Sequence, residues 1–144
     1  MEYLELINTI RTELESSDLI ARVENDDVPD IDLRKRSSYP LAAFYCGGGS
    51  LAPNIIIYTV QLFVADILDV NNLTDQTNED FIKNQSLAVV NNLYTKLNRG
   101  ILFVELIQSE GNTPFDFFSD RFDKGLAGVE VTLEITVKNE MTLC

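Results

Sequence analysis

Four aspartates in one short acidic run are the side chains most able to hold a cation. Asp26, Asp27, Asp30 and Asp32 supply the hard oxygen ligands that calcium prefers. The run has no D-x-[DN]-x-[DN]-G ladder and no bidentate glutamate further on, and Pro29 restricts the backbone that would wrap an ion. The sequence therefore predicts no metal site and no cofactor.

The side chains from which catalytic centres are usually built are missing or isolated. The sequence has no histidine, the residue most often used for proton transfer near neutral pH. Cys46 and Cys144 are the only cysteines, and there is no G-x-S-x-G motif. With 23 acidic residues in 144, carboxylate pairs arise by accident and do not by themselves indicate glycoside chemistry. We expect no enzymatic activity, and a small hydrolase is the least favoured interpretation.

Two further stretches resemble ligand sites only in part. Gly47, Gly48 and Gly49 could cradle a phosphate, but no GxGxxG or GxxxxGK[ST] spacing surrounds them, so a hairpin loop is predicted instead. The aromatic run "PFDFFSDRF", residues 114–122, could stack on bases, but aspartates stand where a nucleic-acid site needs lysine or arginine. This pattern favours packing against the sheet or a neighbour.

Charge and composition limit the classes of partner. Eleven basic residues against 23 acidic ones give a formal charge of -12, so the surface should repel a phosphate backbone, and tight nucleic-acid binding is not expected. The first residues are acidic where a signal peptide is basic, and no apolar stretch reaches membrane-spanning length, so no membrane association is expected. Hydrophobic residues make up 45% of the chain, as is typical of one folded domain spanning 1–144.

Apolar periodicity predicts helices and strands in alternation. An amphipathic helix of about four turns begins the chain, followed by a short strand at 19–23. A hairpin through 39–69 supplies a central strand, and a second helix starts at an N-cap on Thr77 or Asn78 and ends before Gly100. Strands at 101–108 and from 129 onward complete the order. The fold class predicted is α+β, with a largely antiparallel sheet packed by two main helices.

The last predicted strand has the most regular pattern. Odd positions from Val129 to Val137 are apolar, whereas Glu130, Thr132, Glu134 and Thr136 are polar. This alternation predicts a strand with one buried and one wet face. The wet face is either a non-adhesive lining for a DNA passage or the ordinary solvent face of an antiparallel sheet.

A charged loop or arm is predicted at 24–38, and a polar C-terminal tail at 139–144. The arm has five acidic residues and then a basic triplet, but little apolar surface to offset the entropy lost on ordering. We therefore expect it to become ordered only against a neighbouring subunit. The predicted subunit interface consists of Val28, Ile31, Leu33, Arg34, Lys35 and Arg36.

Several segments together resemble a known family of structural proteins. They are "SSYPLAAFYC", "VQLFVADILD", "NEDFIKNQSLAVVNNLYTKL" and "RFDKGLAGVEVTLEITV", and they extend from Ser37 to Val137. The chain resembles the tail-terminator or neck-ring proteins of tailed bacteriophages, particularly of crAss-like and other Bacteroidetes-infecting phages. The acidic loop at 24–32 and the triple glycine are less typical of that family.

The resemblance implies a tail-terminator-like fold and a function without catalytic residues. It implies a homo-oligomeric ring at the head-tail junction around the DNA passage, in contact with portal, neck or tail proteins. The protein would be made in the bacterial cytoplasm and reside in the virion. The alternative is an acidic intracellular binding module, or a nucleic-acid-mimicking inhibitor, that occupies a basic partner.

Overall fold

The computed structural model describes residues 3–25, 39–67, 75–98, 113–121 and 125–138. Within these ranges, one helix is followed by three strands and a second helix by two strands. In chain order they are α1 (Tyr3–Glu15), β1 (Arg22–Asn25), β2 (Leu41–Ala52), β3 (Ile55–Ile67), α2 (Asp75–Asn98), β4 (Phe115–Arg121) and β5 (Leu126–Lys138).

The five strands form one sheet in the order β1-β2-β3-β5-β4. The pairs β2 with β3, β3 with β5 and β4 with β5 are antiparallel, whereas β1 pairs with β2 in parallel. The long strand β3 lies at the centre, as predicted. The structure therefore confirms an α+β fold with a mostly antiparallel sheet and two helices.

Both helices pack on the same face of the sheet, which we call the helix face. The apolar stripe of α1 and the stripe of α2 contact alternate residues of the three central strands. The buried residues of this core include Leu6, Ile10, Leu14, Phe44, Val60, Leu62, Leu93, Leu97, Val131, Leu133 and Ile135. The odd positions of β5 from Val129 to Val137 all lie here, as their alternation predicts.

The opposite face, which we call the far face, carries a second apolar cluster at one end of the sheet. Phe63 of β3 and Phe118 of β4 stack there with ring centroids 4.8 Å apart. Both rings are buried. The cluster consists of Leu41, Ala43, Phe63, Ala65, Phe118 and Leu126.

Several element boundaries differ from the predicted ones. Helix α2 begins at Asp75, so Thr77 and Asn78 lie in its first turn and the predicted N-cap is wrong. Strand β5 begins at Leu126 and β1 at Arg22. The segment "FDFFSDR", for which no strand was predicted, forms the edge strand β4. The predicted strand at 101–108 lies outside the described residues.

The predicted arm at 24–38 also starts later than expected. Glu24 and Asn25 belong to β1, where they pair with Ala43 and Phe44 of β2. The reason is the parallel pairing of β1, because a local pattern of charged residues does not reveal a long-range partner strand. The remainder of the arm, and the tail at 139–144, lie outside the described residues.

Candidate interaction surfaces

The six residues of the predicted subunit interface lie within nine consecutive positions, from Val28 to Arg36. Val28, Ile31, Leu33, Arg34, Lys35 and Arg36 all lie outside the described residues. The same holds for the four aspartates of the acidic run. Among the residues that are described, no group of three histidine, cysteine, aspartate or glutamate side chains comes together as a metal site would require.

The predicted wet face of β5 is wrong at one of its four positions. Thr132 and Glu134 are exposed and Glu130 is half-buried, but Thr136 is only 2% exposed. Thr136 lies opposite Ile57, a partly buried residue of the central strand β3. Threonine is β-branched and carries a methyl group, so it fits a covered sheet surface as well as a wet one. The exposed part of this face of β5, which we call the exposed strip, therefore consists of Thr132 and Glu134.

The triple glycine is part of a strand and not of a hairpin loop. Gly47 to Gly49 lie within β2, which shifts register between Cys46 and Gly48. A Cβ on Gly49 would lie 2.0 Å from the carbonyl oxygen of Ile57, so the close approach of β3 requires glycine there. The hairpin turn is instead formed by Pro53 and Asn54, between Ala52 and Ile55.

These glycines leave a depression on the sheet, which we call the glycine trough. It has a volume of about 300 Å³ and is lined by Tyr45, Gly47, Gly48, Gly49, Thr59 and Gln61. Pairing across the sheet places Thr59 beside Glu134 and Gln61 beside Thr132. The glycine trough thus adjoins the exposed strip of β5 at the polar end of the far face.

The ring of Tyr45 forms one wall of the glycine trough. A Cβ on Gly47 would lie 3.2 Å from Cε1 of Tyr45, so this ring lies close to the bare backbone of Gly47. The Tyr45 side chain remains partly open to solvent. The glycine trough thus combines a partly exposed aromatic ring with the polar side chains of Thr59 and Gln61.

An apolar surface, which we call the hairpin-end patch, lies where the β2–β3 hairpin meets the start of α1. A hollow of about 450 Å³ is lined there by Tyr3, Cys46, the three glycines, Ser50, Leu51, Ile56 and Tyr58. Leu51 is 80% exposed and extends the apolar lining of this hollow toward solvent. Burial raises the pKa of the Tyr58 hydroxyl, and Cys46 and Tyr3 raise it further.

A second apolar surface, the edge patch, lies between α2 and the edge strand β4. A groove of about 260 Å³ is lined by Leu87, Val90, Asn91, Tyr94, Thr113, Phe115, Val131 and Leu133. Phe115 and Phe117 pack edge to face, with centroids 5.3 Å apart, and both remain partly exposed. Among the described strands, none pairs with the outer edge of β4.

Polar contacts near the start of α2 hold one exposed ring of the edge patch, that of Phe117, against the helix. Lys83 Nζ lies 2.7 Å from Glu79 Oε1 and 5.8 Å from the centre of the Phe117 ring. Hydrogen bonds from Lys83 and then from Ser119 of β4 hold the pKa of the Glu79 carboxyl below its usual value. The pair therefore positions the exposed Phe117 ring beside the helix.

The carboxyl group of Asp66, on the central strand, has a raised pKa. Asp66 is half-buried near the end of β3, and burial raises its pKa, although its Oδ1 accepts a 2.7 Å hydrogen bond from the Ile67 backbone N–H. No histidine exists to form a proton-transfer pair with it.

The fold and surfaces thus define an α+β domain with two apolar patches and a polar trough. No protein-family model matches the sequence, and none of the curated proteins matches it significantly. None of the helices in the described ranges has the length and hydrophobicity needed to cross a lipid bilayer.

Proposed function

We propose that this chain is a structural virion protein of a tailed bacteriophage that forms a ring at the head-tail junction. The observation that carries the proposal is the presence of two apolar patches that share no residue. The hairpin-end patch exposes Leu51, and the edge patch exposes Phe115 and Phe117. Exposed apolar surface of this kind marks sites of protein association.

Two different patches on one subunit favour head-to-tail contacts. If the hairpin-end patch of one copy meets the edge patch of the next, each contact leaves one patch of each kind free. Such a contact repeats until the rotation between copies closes a ring. A homo-oligomeric ring needs one repeated interface whose rotation closes, and catalytic residues have no part in it.

The charge of the chain fits a ring around DNA. With a formal charge of -12, the subunits repel the phosphate backbone, so DNA would pass without being held. The same charge leaves the subunits dependent on apolar contacts or on opposite charges to associate with one another. In the virion the ring would contact portal, neck or tail proteins.

Electron microscopy of the purified protein tests the proposal. We expect uniform closed rings with a central opening wide enough for a DNA duplex. Copurification with portal, neck or tail proteins from phage particles would support the location. A protein that remains monomeric at every concentration, and is absent from the particles, would refute the proposed function.

The acidic surface favours a second candidate, an acidic binding module that occupies a basic partner. Its chemistry would rest on exposed carboxylates such as Glu134, and binding would weaken steeply with added salt. A monomer that captures a basic protein in this salt-dependent way would support the second candidate over the ring.

A further inference from the structure

The groove of the edge patch is an apolar opening on the helix face with room for one aliphatic side chain. Its floor is formed by Val131 and Leu133, which are buried on β5, and its sides include Tyr94 of α2 and Phe115 of β4. The groove has a volume of about 260 Å³, whereas a cavity of about 150 Å³ already holds a benzene molecule. A leucine side chain therefore fits into it.

Among the described residues, Leu51 is the most exposed large hydrophobic side chain. It pairs with Ile56 across the β2–β3 hairpin, and because paired residues share a face of the sheet, both side chains lie on the helix face. Ile56 is buried there, whereas Leu51 is 80% exposed. Leu51 thus presents a whole aliphatic side chain beside the hairpin turn, and covering it would remove apolar area from water.

The hairpin and the groove are both uncharged, although the chain is strongly acidic. No charged residue occurs in the sequence between Arg36 and Asp66, a stretch that contains all of β2 and most of β3. The described residues that line the groove are also uncharged. Because two copies with a formal charge of -12 repel each other most where carboxylates face one another, contact costs least between these two surfaces. A second copy of this chain therefore supplies an occupant with the apolar, uncharged character that the groove requires.

We propose that Leu51 of one copy inserts into the groove of the edge patch of the next copy, against Tyr94 and Phe115. The inference rests on the proposed ring function and identifies the residues of its repeated contact. Asn91 lines the same groove and is exposed, so its side-chain amide can form hydrogen bonds with the backbone of the inserted hairpin.

The strand order favours a second copy over the same copy. Strands β2 and β4 are separated by β3 and β5, and a spacing of about 4.8 Å between neighbours puts them about 14 Å apart. Along the strands, Leu51 is level with Ile56 and, through it, with Val137 of β5. The groove lies further along β5, at Val131 and Leu133. Leu51 therefore cannot reach the groove of its own chain, and one copy can use both surfaces at once.

A tryptophan placed in the groove reports the contact directly, because the chain has no tryptophan of its own. The reporter is the full-length chain with Tyr94→Trp, which places an indole in the groove, and Leu51→Asp, which removes the inserting side chain. The donor is the full-length chain with Phe115→Asp, which blocks its groove and leaves Leu51 intact. If Phe115→Asp lowers the thermal melt, Asn91→Arg, at an exposed position of α2, blocks the groove instead.

Reporter and donor should associate with each other and not with themselves. Titration of the donor into the reporter should shift the indole emission to shorter wavelength, because Leu51 of the donor excludes water from the groove. The shift should saturate at one donor per reporter, and native mass spectrometry should show a dimer of one of each and nothing larger, since only one intact groove and one intact Leu51 remain.

Two further donors test whether Leu51 is the side chain that inserts. A donor that also carries Leu51→Ala should bind about tenfold more weakly or worse, since the burial of a leucine side chain is lost. Leu4→Ala in the same donor is the matched control, because Leu4 is 68% exposed on α1 and lines neither patch, and it should leave the titration unchanged. Equal binding by all three donors would overturn Leu51 as the inserting residue.

The outcomes separate this contact from the proposed ring. No shift with any donor, while wild type forms rings, would overturn the contact and leave the ring proposal standing. A shift that requires Leu51, with a wild type that forms open filaments, would support the contact and refute the ring. No shift and a monomeric wild type would overturn both. Reporter emission that is already at short wavelength and does not respond to the donor would show that the groove is filled within one chain, and would overturn the contact.

Discussion

Phe118 of β4 stacks on Phe63 of β3 across the intervening strand β5, with the ring planes 9° apart. Phe118 pairs with Gly128 of β5, and Gly128 pairs on its other side with Ala65 of β3. The two rings thus join strands that are not neighbours and close the apolar end of the far face. The edge strand β4 is tied to the sheet centre by this contact as well as by its hydrogen bonds.

Truncation of the two neighbouring phenylalanines of β4 should have very different effects. Phe118→Ala removes a buried ring from the stack and should lower the free energy of unfolding by about 3 kcal/mol. Phe117→Ala is the matched control, because Phe117 is 47% exposed on the helix face and should cost less than about 1 kcal/mol. Urea denaturation of both variants measures the difference, and equal losses would show that the stack does not secure β4.

Gly128→Ala should destabilise the protein although it adds only a methyl group. A Cβ at this position would lie 1.9 Å from the carbonyl oxygen of Val64, so the backbone of β3 or β5 has to move. We expect a loss of about 2 kcal/mol in the free energy of unfolding. Gly125→Asn is the control, since its positive φ of 64° suits asparagine and no atom lies within 4 Å of the added Cβ. A tolerated Gly128→Ala would contradict the close approach of β5 to β3.

Aspartate substitutions along β5 should report which face each residue occupies. Leu133→Asp places a carboxylate in the helix-face core and should cost about 4 kcal/mol or more, whereas Thr132→Asp on the exposed strip should be nearly neutral. Thr136→Asp should also destabilise, because Thr136 is buried. Thermal melts of the three variants provide the test. If Thr136→Asp is as benign as Thr132→Asp, the far face is open to solvent at Thr136 as well.

The pH dependence of stability should change when Asp66 is replaced. Its carboxyl has a raised pKa in the folded protein, so the folded state holds this proton more tightly than the unfolded state. The resulting penalty grows as pH rises from the ordinary aspartate pKa through the raised one, and stays complete above it. Asp66→Asn should therefore raise Tm at neutral pH and lose that advantage in acid. An advantage that instead grew in acid would mean that the pKa is lowered.

The strand pattern of β5 and the helix-face core could be predicted from the sequence, because residues such as Leu133 and Ile135 alternate with polar ones. The far face could not be predicted in the same way. Thr136 lies opposite Ile57 of the central strand, and the trough forms where the three glycines of β2 lie beside Thr59 of β3. Both depend on contacts between residues far apart in sequence, which local periodicity does not contain.

The two apolar patches could not be predicted from the sequence pattern either. Leu51 follows the three glycines and looks like any strand residue, yet the hairpin turn at Pro53 and Asn54 leaves it at an exposed end of the sheet. Phe115 and Phe117 belong to an aromatic run that indicated packing, but only Phe118 of that run is buried among the described residues. Exposure of this kind depends on the order of the strands in the sheet.

The most direct test of the ring proposal is the mass of the assembly formed by wild type and by Leu51→Asp across a wide range of concentrations. Native mass spectrometry of wild type should give one discrete oligomer, as a closed ring requires. Leu51→Asp should give smaller species with an unchanged thermal melt, because the side chain is exposed in the subunit and buried only in the proposed contact. A wild type that stays monomeric throughout, or a variant that forms the same oligomer equally well, would contradict assembly through the hairpin-end patch.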